Sequence, residues 1–318
     1  FRYDSDANAM VEETGGIGFG IGVQGISERQ YVVGSEAGEN LYVFRQRGPS
    51  ASSTSYLTVA PSNDQTAQFG ADVAMDGDTA IVGAPEYQGS GAAFAFVNTP
   101  GTDEWLLQQT FSPDGSGEGA SFGERVDISG DHVIVGAPDA NSGRGEVFFY
   151  ERLGETWSLI NRYDDTATSG TGSDVAIDGD RAVIASGDGE EVDFFRFNGS
   201  RWVRDGGVSN SSDTYHLDVG LSVAISGDTA AFAARDTSQT DADQRSYVQT
   251  YVRTASGWQA EDRLTLDGVT FHRTFPVSAS MATIVPLGVA PPFCLFPVAT
   301  TGVGDIASRT HRTKMPSW

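Results

Sequence analysis

One phrase recurs along this chain at a spacing of about fifty residues, and it constrains the fold more than any other feature. Its two fullest copies run from Phe69 to Pro85 and from Phe122 to Pro138. Weaker copies cover residues 19–34, 175–184 and 223–230. The valine before the central turn marks each copy, and its positions, 23, 73, 126, 175 and 223, lie 50, 53, 49 and 48 residues apart. Such a period is typical of propellers, solenoids and arrays, in which no unit buries its apolar face alone.

Each copy predicts four short strands. The first strand ends in an Asp-Gly or Ser-Gly turn, and the second is an apolar run such as Ala80-Ile81-Val82. These turns favour tight hairpins, because positive φ is needed there and glycine adopts it without steric cost. We therefore interpret the turn glycines as structural; they are Gly77, Gly130, Gly179 and Gly227. An aromatic third strand and a fourth strand that opens on Tyr or Trp complete the unit, and no amphipathic helical stretch interrupts it. The pattern predicts an all-β fold.

The two fullest copies resemble the FG-GAP repeat, the blade unit of integrin α-subunit propellers and of many secreted or surface proteins. They match both halves of that name, with Phe69-Gly70 before Gly83-Ala84-Pro85 and Phe122-Gly123 before Gly136-Ala137-Pro138. The resemblance covers roughly residues 17–266. It implies a β-propeller of four-stranded antiparallel blades. It does not imply an activity, because this fold hosts adhesion modules, lectins and lyases.

The period divides the chain into about six blades. Residues 17–269 are predicted to form five recognisable blades, and residues 270–318 form an atypical Pro-rich tail in the place of the sixth. Residues 1–16 are predicted to supply a strand and a loop that help to close the ring. This closure rests on Phe1-Arg2-Tyr3-Asp4, which resembles Asn161-Arg162-Tyr163-Asp164 at the end of an outer strand.

The tail differs in composition from the rest of the chain. Residues 270–318 hold one acidic residue, four Lys or Arg, six of the twelve prolines and the only cysteine, Cys294. One hypothesis is that the tail is an out-of-frame reading of a sixth blade, since reading Ser280–Thr283 one base earlier restores a glycine turn. The alternative is an irregular tail that packs on the propeller. Mass spectrometry of the peptide from Thr274 to Arg309 distinguishes the two.

The net charge of −23 excludes nucleic-acid binding, because the chain would repel a polyanion, and it argues against docking on anionic lipid. A single cysteine excludes an intramolecular disulfide. The chain begins at Phe1 without a signal peptide and contains no run of 18 apolar residues, which suggests a mature or excised segment. We expect an extracellular location, secreted or at the cell surface. The sequons at Asn198 and Asn210 are then candidate glycosylation sites.

Candidate chemistry is sparse. The four histidines lie in different repeats without metal-ligand spacing, and paired acids such as Asp164-Asp165 and Glu190-Glu191 are interpreted as surface charge. Recurring aspartates such as Asp76 and Asp178 are interpreted as parts of the turns. We therefore expect no enzyme activity and no cofactor other than calcium, whose candidate ligands are Asp4, Asp6, Asn8 and Glu12. A polar inter-blade loop is the favoured interpretation of that segment, because it lacks the glycine of integrin-type calcium loops.

The leading functional prediction is a non-catalytic recognition or adhesion propeller that binds a protein or glycan through its loops. The alternatives are a structural subunit of an extracellular filament or coat, made of copies of this chain, and a polysaccharide lyase or hydrolase. The irregular connections Glu86–Gly91, Asp139–Gly145 and Asp236–Arg245 are expected on one face. Arg144 and Arg245 are candidate anchors there for a carboxylate, against the alternative that they only offset local negative charge.

Overall fold

The computed structural model describes backbone structure in a set of segments within one compact unit, residues 1–283. The described segments are residues 2–4, 9–11, 23–27, 30–35, 40–46, 52–57, 67–99, 104–113, 120–165, 168–187, 191–209, 217–236 and 246–266. The predicted tail, residues 270–318, lies outside them, so its reading frame and its place as a sixth blade stay predictions.

Within these described segments, twenty strands form five four-stranded sheets, which we number as blades 1 to 5 in chain order. Blade 1 contains β3 (Val23–Ser27), β4 (Gln30–Ser35), β5 (Asn40–Gln46) and β6 (Ser52–Leu57). Blade 2 contains β7 (Val73–Asp76), β8 (Thr79–Ala84), β9 (Ala92–Asn98) and β10 (Trp105–Phe111). Blade 3 contains β11 (Arg125–Ser129), β12 (His132–Ala137), β13 (Glu146–Leu153) and β14 (Thr156–Tyr163).

Blades 4 and 5 follow the same plan. Blade 4 contains β15 (Thr171–Asp178), β16 (Arg181–Ser186), β17 (Glu191–Phe197) and β18 (Trp202–Ser209). Blade 5 contains β19 (Leu217–Ser226), β20 (Thr229–Asp236), β21 (Ser246–Thr254) and β22 (Gly257–Leu266). In every blade the strands pair antiparallel in chain order. The predicted fold class, an all-β propeller-type array of four-stranded antiparallel blades, is confirmed.

The N-terminal segment forms a small sheet of its own. Strand β1 (Arg2–Asp4) pairs antiparallel with β2 (Ala9–Val11), and Tyr3 lies opposite Met10. Ring closure by residues 1–16 stays a prediction.

Successive blades pack face to face. Strand β7 contacts β3 and β11, β15 contacts β11 and β12, and β19 contacts β15 and β16. Side chains of the second strand of one blade enter the core of the next, because alternate strand residues point to opposite faces. Ile81 of blade 2 packs with Val133 and Phe148 of blade 3, and Val183 of blade 4 packs with Phe232 of blade 5. The core is therefore a series of wedges between blades.

The turn between the first two strands is a tight hairpin in blades 2 to 5. Its glycines have the positive φ that this turn requires, +58° at Gly77, +57° at Gly130, +58° at Gly179 and +54° at Gly227. The turns of blades 2, 3 and 4 each bond to the turn of the next blade. Asp76 Oδ2 accepts from Gly130 N at 2.6 Å, and Asp178 Oδ2 accepts from Gly227 N at 2.6 Å. The recurring aspartates thus join neighbouring turns, whereas the sequence pattern predicted only that each one forms part of its own turn.

Glycines of the GAP triplet approach glycines of the following blade closely. A Cβ added to Gly83 of blade 2 would overlap the carbonyl oxygen of Gly123 in blade 3. A Cβ added to Gly136 of blade 3 would likewise overlap the carbonyl oxygen of Gly172 in blade 4. Neither Gly83 nor Gly136 has positive φ. Glycine is therefore required at these positions because two backbones approach each other closely, which only a residue without a side chain permits.

Amide side chains join the outer strands of neighbouring blades. Gln109 of β10 accepts from Trp157 N through Oε1 at 2.9 Å and donates to Trp157 O through Nε2 at 2.9 Å. Asn161 of β14 makes the same pair of bonds to Trp202, at 3.0 and 3.3 Å. Both amides lie at or next to a β-bulge, which turns them away from their own ladder.

Because glycines of neighbouring blades approach closely at Gly83 but not at Gly77, we expect alanine to destabilise the protein more at Gly83. Gly83→Ala is expected to lower the free energy of unfolding by more than about 3 kcal/mol, because its Cβ would force two blades apart. Gly77→Ala is the control, since the space around Gly77 is open and only the left-handed backbone opposes a side chain, at about 1–2 kcal/mol. Urea unfolding of both variants measures the difference. Equal losses would contradict the proposed backbone contact.

The hairpin turn gives a second prediction. Gly130→Val is expected to destabilise the protein by more than about 1 kcal/mol, because a β-branched residue is strained at φ +57°. Gly130→Asn is the matched variant, since asparagine tolerates the left-handed region. Thermal unfolding compares them, and an unchanged midpoint for the valine variant would count against this turn.

Candidate functional site

Carboxylates lie in or next to the first strands of blades 2, 3 and 4; Asp72 and Asp174 are buried and Asp127 is partly exposed. Asp72 Oδ1 accepts from Val73 N and Oδ2 from Val126 N of the next blade, both at 2.9 Å. Asp127 repeats this arrangement with Ile128 N and with Ile177 N of blade 4, both at 2.8 Å. Each carboxylate therefore bridges two strands of different blades.

A third carboxylate, Asp174, extends the row. Its Oδ2 accepts from Val223 N of blade 5 at 2.7 Å, and its Oδ1 lies 3.7 Å from Arg125 Nε. Burial raises the pKa of Asp72 and of Asp127 to about 7, and it also raises the pKa of Asp174. These carboxylates converge with an arginine, but their oxygens are engaged by backbone amides of neighbouring blades. Their arrangement fits a structural role.

A second polar cluster lies between the outer parts of blades 3 and 4, and we call it the rim cluster. It consists of Tyr163 and Asp165 from blade 3 and its connection, with Glu191, Asp193 and Arg204 from blade 4. Asp193 Oδ2 accepts from Tyr163 Oη at 2.6 Å, and Asp193 Oδ1 accepts from Arg204 Nε at 2.5 Å. Arg204 Nη2 also donates to Glu191 Oε1 at 2.6 Å. The guanidinium thus joins two of the three carboxylates.

Asp193 breaks the apolar pattern of the repeat. It lies opposite Ile184, at the position where Phe94 lies opposite Val82 and Phe148 opposite Val135. Its side chain is only 3% exposed. A charged residue at an aromatic core position costs desolvation energy unless it is paired, which explains the bonds to Tyr163 and Arg204. Such a departure from the repeat marks a candidate functional site.

The rim cluster carries more negative than positive charge. Three carboxylates face one guanidinium, and burial together with Asp193 raises the pKa of Glu191 to about 7. Burial also raises the pKa of Asp193. The carboxylate oxygens of Asp165, Glu191 and Asp193 lie within 4.8 Å of one another, a spacing that a hard cation could bridge. In the observed arrangement, Arg204 supplies the positive charge beside Asp193.

This cluster is not predictable from the local sequence, because its acids have the pattern of surface charge. Asp164-Asp165 and Glu190-Glu191 are separated by about 25 residues, and nothing local indicates that they meet. One signal was available: Asp193 interrupts the aromatic third strand Val192–Phe195.

The connections between the second and third strands define what we call the loop face. In blade 2 the connection holds a short 3-10 turn, Tyr87–Gly89, and in blade 3 it holds the helical turn Ala140–Gly143. Both contain non-glycine residues with left-handed backbone, Gln88 at φ +51° and Asn141 and Ser142 at +54° and +64°. Such conformations cost energy and persist only where neighbours hold them.

An open groove runs along the loop face between blades 3 and 4. Its lining residues are Glu124, Pro138, Asp139, Gly143, Ser169, Gly170, Ser173 and Gly187. Burial, with Asp139 and Glu86 nearby, raises the pKa of Glu124. Asp139 Oδ2 accepts from Ser121 Oγ at 2.6 Å. Carboxylates, hydroxyls and glycine backbone make this groove suited to polar ligands.

Arg144 lies on the loop face with an exposed side chain. Its Nε donates to Asn141 O at 3.3 Å, and across the segments with described side chains it pairs with no carboxylate. Asn198 is exposed in the turn between β17 and β18. Asp4 lies in β1. The other predicted site residues lie outside the described segments, so their roles stay predictions; they are Asp6, Asn8, Glu12, Asn210 and Arg245.

His132, one of the four histidines, is largely buried next to blade 4. Its side chain is 17% exposed, and its ring packs 4.6 Å from Phe197 and 5.4 Å from Trp202 of blade 4. Burial lowers its pKa. It is therefore part of the contact between blades 3 and 4.

The rim cluster makes stability depend on pH. The folded protein holds the Glu191 proton more tightly than the unfolded chain, whose glutamate has a pKa of 4.5. Stability contributed by this group is thus expected to fall as pH rises from 4.5 to about 7. Glu191→Gln is expected to reduce that slope, because an amide does not ionise. Denaturant unfolding from pH 4 to 8 measures it.

Glu155→Gln is the control for this measurement, because Glu155 is exposed in the hairpin before β14, at the opposite end of that strand from Tyr163. It is expected to leave the pH dependence unchanged. An identical slope in the wild type and in Glu191→Gln would show that Glu191 does not titrate as described.

Comparison with known proteins agrees with this fold. The FG-GAP repeat family matches residues 59–96 and 105–150. No curated protein matches the chain. Among the helices that the structure describes, none is long and apolar enough to cross a membrane.

Two solved structures are similar to this chain at low identity, and each is described as a "putative 6-phosphogluconolactonase". The one from Bacteroides uniformis ATCC 8492 has a TM-score of 0.50 and 12% identity over 77% of this chain and 70% of its own. The one from Bacteroides fragilis NCTC 9343 has a TM-score of 0.49 and 11% identity over 78% of this chain and 72% of its own. At 12% identity, the similarity to the structure from Bacteroides uniformis concerns the fold alone. The match of residues 59–96 and 105–150 to FG-GAP repeats, together with the four-stranded antiparallel blades, is consistent with an FG-GAP repeat β-propeller.

Proposed function

We propose that this protein is a non-catalytic recognition propeller that works outside the cell and binds a protein or glycan partner through its loop face. FG-GAP repeats suggest a propeller of the kind that often serves adhesion and recognition. The extracellular location belongs to the proposal and follows from that resemblance.

The observation that carries the proposal is the difference between the two ends of the blades. At one end, short hairpins repeat from blade to blade and are tied together by bonds such as Asp76 to Gly130. At the other end, the loop face has unequal connections with left-handed residues at Gln88 and Asn141. Repeated short turns are scaffold, whereas irregular loops on a rigid scaffold are the usual place of binding.

Non-catalytic function is supported by the contacts that the carboxylates between blades make. Asp72 and Asp127 accept bonds from backbone amides of two blades, and Asp193 is held by Tyr163 and Arg204. A general acid or base must reach the proton that it transfers. These carboxylates instead stabilise contacts between blades.

Arg144 is the proposed anchor on the loop face. It is exposed and, within the segments whose side chains are described, has no carboxylate partner, although the chain carries a net charge of −23. A planar guanidinium recognises a carboxylate through two parallel hydrogen bonds, and arginine is enriched among residues that dominate binding. Its exposure and its contact to the Asn141 carbonyl leave the guanidinium accessible to a partner, which supports binding over the alternative of local charge compensation. An acidic glycan or an acidic protein segment fits this anchor.

Replacement of the anchor tests the proposal. Arg144→Gln is expected to weaken binding to an array of uronic-acid glycans and acidic peptides by about tenfold or more, as for a binding hot spot. Arg201→Gln is the matched control, because Arg201 is an exposed arginine in the hairpin at the opposite end of blade 4. It is expected to leave binding unchanged.

Two outcomes would contradict the proposal. Equal binding by Arg144→Gln and the wild type would exclude Arg144 as the anchor. Reversible self-association of the wild type in sedimentation, without saturable binding to the array, would favour the alternative of a filament or coat subunit.

A further inference from the structure

The hairpin between β17 and β18 of blade 4 places an asparagine before a glycine. Asn198, Gly199 and Ser200 are all exposed, and Gly199 has a φ of +91°. Asn198 N donates to Arg201 O at 3.1 Å, which closes the turn. The side-chain carboxamide of Asn198 also folds over this turn, because its oxygen accepts from backbone amides of the turn, as asparagine side chains do in Asx turns.

Three donors converge on the Asn198 side-chain oxygen. Oδ1 accepts from Ser200 N at 3.1 Å, from Ser200 Oγ at 3.0 Å and from Arg201 N at 3.0 Å. Attack on the carboxamide carbon Cγ would move negative charge onto Oδ1. Donors that are already aimed at such an oxygen lower the barrier for attack on a carbonyl.

We propose that Asn198 is a site of spontaneous deamidation, in which the hairpin itself promotes the reaction. The nucleophile is the backbone nitrogen of Gly199, which follows Asn198 directly and carries no side chain that would hinder attack. Gly199 N loses its proton to solvent base and forms a bond to Asn198 Cγ. The Cγ–Nδ2 bond breaks, and Nδ2 takes up a proton and leaves as ammonia. The product is a five-membered succinimide.

Water then opens the succinimide ring. Addition at one carbonyl yields an aspartyl residue, and addition at the other yields an isoaspartyl residue with an extra methylene in the main chain. Either product adds a negative charge to a chain that already carries −23. The turn is flanked by Phe197 and Trp202, whose rings contact His132 of blade 3. A longer main chain here would therefore alter the contact between blades 3 and 4.

The inference is independent of the proposed recognition function and differs from the glycosylation prediction. Glycosylation would attach a glycan to Nδ2 of Asn198, whereas deamidation removes that nitrogen. One residue cannot undergo both, so mass spectrometry of a tryptic peptide distinguishes them.

The test is to incubate the folded, unglycosylated protein at pH 8 and 37 °C and to follow peptides by mass and by isoaspartate-specific labelling. Residue 198 is expected to gain one mass unit and to yield an isoaspartyl form. Asn161 is the internal reference, because its carboxamide bonds to the backbone of Trp202 and the bulky Arg162 follows it. It is expected to stay unchanged.

Ser200→Ala isolates the role of the hairpin, since it removes the hydroxyl donor and keeps both backbone donors. Deamidation of the folded variant is expected to be at least about threefold slower than in the wild type. In 8 M urea, where the turn is absent, both proteins are expected to react at the same rate. Circular dichroism at the start verifies that the variant is folded.

Several results would overturn the inference. No mass change at Asn198 after several weeks would exclude the site. Equal rates for folded wild type and Ser200→Ala would exclude assistance by the hairpin. A glycan on Asn198 of protein taken from its source would exclude deamidation in that material.

Discussion

Contact between the backbones of neighbouring blades is the constraint on which the rest of this structure depends. Gly83 approaches the carbonyl of Gly123 so closely that a methyl group would not fit. At this distance first-strand amides of one blade come within reach of carboxylates on the blade before it, as in Asp72 with Val126. An isolated blade would leave these amides and the apolar side chains of both its faces in water. Stability is therefore a property of pairs of blades.

The same constraint explains why the FG-GAP phrase looks as it does. Its glycines meet across blades, Phe122 packs on Phe148 at 4.9 Å, and the turn aspartates accept from the next turn. Where later blades lose the Gly-Ala-Pro triplet, the inter-blade bonds survive, as between Asp174 and Val223. The motif is thus one of several solutions to a single packing requirement.

Departures from the repeat coincide with the features that invite a functional explanation. Asp193 replaces an aromatic residue of the wedge and gathers Tyr163, Glu191 and Arg204 around it. The loop face carries left-handed residues, whereas the opposite hairpins repeat closely. A scaffold of repeated contacts tolerates such local changes, because each blade contacts only its neighbours.

The sequence alone determined the period, the four strands of each blade and the glycine turns, since these depend on neighbouring residues and on alternation along a strand. It also indicated Arg144 as a basic residue in an irregular connection. Only the tertiary structure decided which acids are buried and what they bind. Asp72 and Val126, or Asp165 and Glu191, are far apart in the chain, and their distance is set by packing between blades. The pKa of Glu191 follows from burial and neighbouring charge, which no local pattern encodes.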